Sequence, residues 1–281
     1  MRTVRTVTEV REAVRQARGV GKSIGFVPTM GALHAGHVSL LHRAREGTSY
    51  VVISVFVNPT QFNDPADLAA YPRDEGRDAA MARDAGADLF FAPDATEMYP
   101  PGFSTTVSVD GLSAPMEGAA RGPGHFRGVA TVVTKLFNIV TPDIAYFGQK
   151  DAQQAVIIRR LARDLDLPLR VEVCPTVREP DGLAMSSRNV RLGPADRLRA
   201  LALRRGLDAA EASIAAGERD AAAIARAGRD AMHAHGVKPE YFDVVSADTL
   251  EPLDTVAGEV LVAVAARVGP VRLIDNVVVS L

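Results

Sequence analysis

The sequence predicts an α/β fold: a parallel sheet with helices on both faces over residues 1–175, followed by a small α+β domain over residues 176–281. Three observations carry it. Short apolar runs of the kind that fill a buried parallel strand recur at residues 23–28, 50–57, 87–92 and 144–147. Helical patterns alternate with them, among them 77–85 and 154–165. After about residue 175 the character changes: residues 195–216 and 221–234 are alanine-rich with charges at helical spacing, and 241–245, 260–268 and 271–279 read as strands.

Taken in order, the chain opens with an amphipathic helix over residues 4–18, whose Glu9 and Glu12 set it apart from the acid-poor leaders that target organelles. The strand at 23–28 runs into Pro28-Thr29-Met30-Gly31-Ala32-Leu33-His34-Ala35-Gly36-His37, where Gly31 lets the backbone turn. Val38, Leu40, Leu41 and Ala44 give the next helix an apolar side, so its N-terminal N–H groups and positive dipole end are expected to open near His34 and His37. The two histidines share one side of the first turn, with Gly36 between them leaving room for a ligand. Paired imidazoles suit displacement at a nucleotide α-phosphate, where charge builds on the equatorial oxygens and on the departing pyrophosphate. Asn58-Pro59-Thr60-Gln61 follows the strand at 50–57, and Gln149-Lys150-Asp151 follows the one at 144–147. Ligands of parallel sheets gather at the carboxyl ends of the strands, so both clusters are expected on the rim that carries the histidine turn. Residues 98–128, rich in proline and glycine with a strand-like stretch at 104–110, read as an excursion able to cover that rim, and 129–140 returns to a helix.

Composition narrows the function classes. A formal net charge of -2 over 281 residues gives no pull toward nucleic acid or an anionic membrane. The single cysteine, Cys174, excludes an internal disulfide and a thiolate cluster, is expected in a strand core, and fits a reducing cytoplasm. No apolar segment approaches the roughly 20 residues that span a bilayer, and no secretory h-region is visible, so a cytoplasmic location is expected. Lysine occurs only at Lys22, Lys135, Lys150 and Lys238, which makes Lys150 beside Gln149 and Asp151 noticeable. His42, His233 and His235 have no supporting motif around them and are read as surface residues.

Ala184-Met185-Ser186-Ser187-Arg188-Asn189 places two hydroxyls beside a permanent cation in a loop, a combination suited to nucleotide phosphates. Together with His34-Ala35-Gly36-His37 it resembles the His-x-Gly-His turn and mobile serine-rich loop of class I adenylate-forming enzymes. The likeness is closer still to the pantothenate synthetase family. It runs through Pro28 to His37, Phe56-Val57-Asn58-Pro59-Thr60-Gln61-Phe62, Tyr71-Pro72-Arg73, Gly124-His125-Phe126-Arg127-Gly128, the stretch from Phe147 to Gln154, and the stretch from Asp181 to Asn189.

The resemblance implies a Rossmann-like ATP- and pantoate-binding domain, a small C-terminal lid, and condensation of pantoate with β-alanine through pantoyl adenylate, releasing AMP and pyrophosphate. It implies ATP and Mg2+ as cofactors and a homodimer. Its catalytic roles fall on His37, His34 and Lys150. Its ATP segments fall on Met30, Gly31, Ala32, Leu33, His34, Ala35, Gly36 and His37, on Gly148, Gln149, Lys150 and Asp151, and on Val177, Met185, Ser186, Ser187 and Arg188. Gln61 and Gln154 match the amides that hold pantoate, with Gln61 also near β-alanine, and Met30, Val132 and Val133 match the apolar wall for its gem-dimethyl group. Magnesium is expected on the ATP phosphates, with Asp74, Glu75 and Asp78 as lesser candidates. Two departures stand out: the serine loop lacks the leading lysine of the tRNA-synthetase version, and Arg121-Gly122-Pro123-Gly124-His125 carries one residue more than the family pattern, which leaves Arg121 without an assigned role and His125 either in the site or capping a helix. Three rivals remain: a nucleotidyltransferase that keeps the nucleotide monophosphate on its product, a noncatalytic nucleotide sensor, and tRNA aminoacylation, the last lacking a basic surface.

Overall fold

Six parallel strands organise the first of two units: β1 (Arg2–Val4), β2 (Ile24–Thr29), β3 (Tyr50–Val55), β4 (Leu89–Phe91), β5 (Ile144–Gly148) and β6 (Arg170–Cys174). The computed structural model describes the backbone of residues 1–281 and every side chain except that of residue 67. The strand order is β1-β4-β3-β2-β5-β6. From β2 the chain builds outward through β3 and β4, then returns to add β5 and β6 on the other side. The carboxyl ends of β2 and β5 therefore flank the point where the winding direction switches, the usual ligand position in such sheets.

Alternation along the strands sorts side chains to two faces. On one, Val27, Val51, Ile53 and Phe90 share a core with Leu40, Leu41 and Ala44 of the helix Ala35–Gly47 and with Ala82 of the helix Glu75–Asp84. On the other, Phe137 of the helix Gly124–Val140 meets Phe26 edge-on at 6.5 Å between ring centres and Phe147 at 6.3 Å. Helices thus cover both faces, as the alternation of patterns predicts. Cys174 closes β6 within the first of these cores, 6% exposed, and burial, with the Glu172 charge adding, pushes its thiol up to about 11. We expect the native protein to leave a thiol-specific reagent unconsumed at pH 8 and to titrate one thiol once denatured; fast native reaction would show the thiol to be exposed.

The first unit comprises Met1–Gly148 and Ile157–Pro175, and the second Gln149–Val156 and Thr176–Leu281. In the second, β7 (Pro239–Ser246), β8 (Glu259–Val268) and β9 (Val271–Ser280) form an antiparallel sheet. The helices Ala202–Ala215 and Ala221–His233 bury Leu203, Leu207, Ile224 and Met232 in one core with Phe242, Val262 and Val264. A side chain at Gly228 would strike the Phe242 ring, so that glycine sets how closely helix and sheet approach.

Three local readings are corrected. The helix expected from residue 4 begins at Val7, because Thr6 caps it in a capping box with Glu9 and leaves Arg2–Val4 to pair with β4. Residues 104–110 form no strand; their alternation half-buries Val107 and Val109, and the Val107 N–H is held by Thr131 Oγ1 at 2.9 Å instead of a sheet partner. The helix expected at 195–216 is two, Pro194–Ala200 and Ala202–Ala215, broken at Leu201. Among the described residues no helix is long and apolar enough to cross a membrane.

Candidate active site

The turn after β2 is held almost entirely by its own side chains and one distant carboxylate. Gly31, at φ +86, makes a bend that other residues rarely adopt. Its N–H donates to Thr29 Oγ1 at 3.2 Å, while the N–H groups of Ala32 and Leu33 donate to Asp78 Oδ2 and Oδ1 at 2.9 and 2.8 Å. Asp78 is 1% exposed, and a Cβ at Gly31 would stand 2.9 Å from its Oδ2. His34 then caps the helix Ala35–Gly47: its Nδ1 accepts the Gly36 N–H at 3.1 Å, and His37 Nδ1 accepts the His34 N–H at 3.3 Å. The His37 and Val38 N–H groups donate to the His34 carbonyl at 2.8 and 3.1 Å.

This corrects the expectation of an open backbone cradle, since the N–H groups of Gly36, His37 and Val38 are engaged within the turn. Both rings accept at Nδ1, which in the neutral imidazole puts the proton on Nε2 of each. The ring centres stand 4.2 Å apart.

Gln61 lies past β3, in the short helix Pro59–Gln61. Its Nε2 contacts Met30 Sδ at 2.9 Å, and its Oε1 accepts from Asn58 Nδ2 at 3.0 Å. Asn58 is 1% exposed and is fixed in turn: its Oδ1 accepts the Tyr99 hydroxyl at 2.8 Å, and its Nδ2 donates to the Gly128 carbonyl at 3.2 Å. Burial raises the Tyr99 phenol above its ordinary range, so it stays protonated and keeps donating. His125 Nδ1 lies 3.0 Å from the Gln61 carbonyl oxygen, so this histidine braces the glutamine backbone; the cap position of its helix is Pro123. A Cβ at Gly128 would stand 2.5 Å from the Thr60 carbonyl oxygen, so glycine is what lets the helix Gly124–Val140 pack against this turn. Val132 follows one helical turn later on the same side, and both it and Val133 are buried.

In the second unit, Gln149–Asp151 forms a single tight turn ahead of the helix Ala152–Asp164. Lys150 Nζ lies 3.9 Å from Asp151 Oδ1, and Gln154 is half-buried. The loop that carries the serines folds back on itself: the Met185 N–H donates to the Val177 carbonyl at 3.0 Å, and the Glu179 N–H to the Leu183 carbonyl at 2.8 Å. The Arg188 N–H donates to Ser186 Oγ at 3.2 Å. Glu179 anchors the base of the loop, bound by Arg197 at 2.8 Å and by Asn189 Nδ2 at 2.6 Å, and the Arg197 guanidinium holds its carboxyl below the ordinary range.

A histidine pair stands on a turn at the sheet's switch point with Gln61 braced through Asn58, and a lysine and a hydroxyl loop lie elsewhere in the chain, groups of the kind suited to a nucleotide's phosphates. Comparison with known proteins bears directly on that. The family model for pantoate-beta-alanine ligase matches residues 2–278. The chain belongs to the pantoate-beta-alanine ligase family. It is 52% identical over 276 residues to the pantothenate synthetase of Pelotomaculum thermopropionicum, covering 98% of each chain. It is 51% identical to that of Roseiflexus castenholzii over the whole of both. Among solved structures, the pantothenate synthetase of Thermus thermophilus superposes with a TM-score of 0.93 at 49% identity, covering 99% of each chain. The pantoate-beta-alanine ligase of Francisella tularensis, solved in complex with beta-gamma ATP and beta-alanine, gives 0.77 at 32% identity, covering 99% of this chain and 97% of that one.

Within this ligase, the three carboxylates raised as lesser magnesium candidates each have another task. Asp78 holds the turn, Asp74 accepts the Arg77 N–H at 3.0 Å as a helix cap, and Glu75 pairs with Arg5 at 2.6 Å. Arg121 is paired with Glu117 at 2.8 Å, one turn earlier on its own helix. Sequence reasoning missed Asn58 and Tyr99 as supports of Gln61, and it gave Asp78 only as a lesser magnesium candidate. Asn58 carried a signal, standing directly before Pro59 at the end of a buried strand, where an Asx turn is favoured.

Proposed function

We propose a two-step course for the ATP-dependent ligation of pantoate to β-alanine that this family member catalyses. A pantoate carboxylate oxygen attacks the α-phosphorus of ATP, and the bond from that phosphorus to the bridging oxygen breaks as pyrophosphate leaves. The neutral amine of β-alanine then attacks the acyl carbon of pantoyl adenylate; the bond to AMP breaks, the ammonium proton passes to solvent, and pantothenate is formed. Adenylation is needed because a carboxylate offers no good leaving group to an amine.

The observation that carries this reading is the Nδ1 engagement of both His34 and His37, which places the proton of each neutral ring on Nε2 as a fixed donor. Such donors stabilise the charge that accumulates on the phosphates during displacement without giving up a proton. Lys150, flanked by Gly148, Gln149 and Asp151, supplies the permanent charge for the triphosphate, and Met185, Ser186, Ser187 and Arg188 supply further donors. Met30, Gly31, Ala32, Leu33, Ala35 and Gly36 form the surface of the turn against the nucleotide, and the Val177 backbone reads adenine. Gln61 and Gln154 bind the hydroxyls and carboxylate of pantoate, Gln61 also serves β-alanine, and Met30, Val132 and Val133 enclose the two methyl groups. Residues 1–175 act as the ATP- and pantoate-binding domain and residues 176–281 as a smaller C-terminal lid domain.

Magnesium enters on the ATP phosphates in this scheme. Among the described residues no three histidine, cysteine or acidic side chains are grouped to hold an ion, and Asp74, Glu75 and Asp78 are committed elsewhere. The enzyme works as a homodimer in the cytoplasm, and sedimentation at micromolar concentration tests the first of these points.

The deciding experiment supplies ATP, pantoate and β-alanine and omits each in turn. AMP, pyrophosphate and pantothenate in equal amounts, with pyrophosphate still released once per site when β-alanine is left out, support the scheme. AMP retained on the final product would overturn it. Gln154→Ala is expected to raise the KM for pantoate by roughly five- to thirtyfold, the worth of one or two hydrogen bonds at about 1 kcal/mol each, with little change for ATP. Equal weakening of both substrates would remove Gln154 from the pantoate site.

A further inference from the structure

The C-terminal strand β9 carries two adjacent buried polar residues, Asp275 and Asn276, that the chemistry above does not use. Neighbouring strand residues point to opposite faces, and these two hold different segments of the chain. Asn276 Nδ2 donates to the backbone carbonyls of Gln149 and Lys150, each at 2.9 Å, and its Oδ1 accepts from Gln149 Nε2 at 2.9 Å. Both donors and the acceptor of the amide are spent on one short turn 126 to 127 residues away in sequence. Asp275 receives Arg178 through two parallel bonds of 2.6 and 3.0 Å, and Arg178 also donates to the Gly182 carbonyl at 3.1 Å, inside the loop that leads to Ser186.

The Gln149–Asp151 turn is three residues long and runs straight into the helix Ala152–Asp164. A tight turn of three residues closes with poor hydrogen-bond geometry, and its backbone orientation decides where the long Lys150 side chain starts. Bonds to two successive carbonyls hold that orientation. A lysine has four rotatable bonds, so a cation delivered to a phosphate depends on a fixed Cα–Cβ direction at its root.

We propose that Asn276 is a positioning residue for Lys150, holding the backbone from which the cation reaches the triphosphate, while Asp275 holds the serine loop through Arg178. This rests on the reading of Lys150 as the triphosphate cation. Asn276 touches neither nucleotide nor acid in this role and acts through the turn alone.

A double-mutant cycle on pyrophosphate release in a single turnover tests it. Asn276→Ala is expected to slow that step about tenfold in the enzyme with Lys150, and by less than twofold in the Lys150→Ala background, where there is no cation left to misplace. A tenfold loss in both backgrounds would overturn the proposal. Lys150→Ala turning over at the wild-type rate would instead sink the reading of Lys150 on which it depends, so the two failures are told apart. Asn276→Asp gives a second readout: a carboxylate facing two carbonyls should be slower than alanine, whereas a space-filling role would make this near-isosteric change the milder one and count against us. If Asn276→Ala is recovered unfolded by circular dichroism, the same cycle is run with Asn276→Ser, with the same two outcomes deciding.

Discussion

Replacing His37 with alanine is expected to slow formation of pantoyl adenylate by a factor on the order of 10² to 10³, the loss that follows removal of one fixed donor to a developing oxyanion. The residue sits on the first turn of its helix and is half-buried, so alanine costs little core packing. Its two nitrogens have separate duties. Nδ1 accepts the His34 N–H, which fixes the ring, and on the function proposed above Nε2 carries the proton that meets the phosphate. Alanine removes both. Glutamine restores a neutral N–H donor at similar reach but has no group that surrenders a proton near neutral pH. If the imidazole acts as a held donor, His37→Gln recovers about tenfold over His37→Ala, and its rate stays flat from pH 6 to 9. If the step needs net proton transfer, glutamine is no better than alanine. The measurement is pyrophosphate released from ATP and pantoate with β-alanine omitted, which isolates the first step. An alanine variant at the wild-type rate would remove His37 from the mechanism.

Local chemistry was legible in the sequence where local chemistry decides the structure. The strand, Gly31 bend and histidine pair lie within fifteen residues or so, and hydrophobic periodicity places β2, β3, β4, β5 and the greater part of the helices Ala35–Gly47, Glu75–Asp84 and Gly124–Val140. A short feature escaped for want of signal: β1 has only three residues, Arg2–Val4, and is a strand because β4 offers it an edge. The stretch at 104–110 has the opposite fault, a strand's alternation with no strand beside it, since Thr131 takes the Val107 backbone. What sequence could not supply were pairings across long separations. Asp78 reads as one more acid on the surface of a charged helix, and only folding brings it under a turn 45 to 46 residues away. Asn276 sits in an ordinary antiparallel strand and acts on the opposite end of the sequence of its unit. Loop closure over such distances is set by packing, not by propensity.

Asp78→Ala tests whether that buried carboxylate is what shapes the histidine turn. Two backbone N–H groups, of Ala32 and Leu33, lose their acceptor at once, and each buried donor left unsatisfied costs about 1–3 kcal/mol. Part is recovered if water enters the vacated space, so a fall in Tm of several degrees is expected, at roughly 2–4 °C per kcal/mol for a chain of this size. Activity should fall further than stability accounts for. With the enzyme fully folded at 20 °C, relaxation of Ala32 and Leu33 displaces the backbone leading directly into His34, and a shift of about 1 Å in a catalytic group is enough for a loss on the order of 10²-fold. Asp78→Asn is the sharper variant, because it is isosteric. Its amide oxygen can serve only one of the two N–H groups, and its NH2 then points a donor at the other, so asparagine should be nearly as damaging as alanine to the adenylation rate. Were the carboxylate merely filling space beside Gly31 and Val55, asparagine would fill it equally well, and a wild-type rate for Asp78→Asn would show the turn to be held by Gly31, Thr29 and the two imidazoles alone.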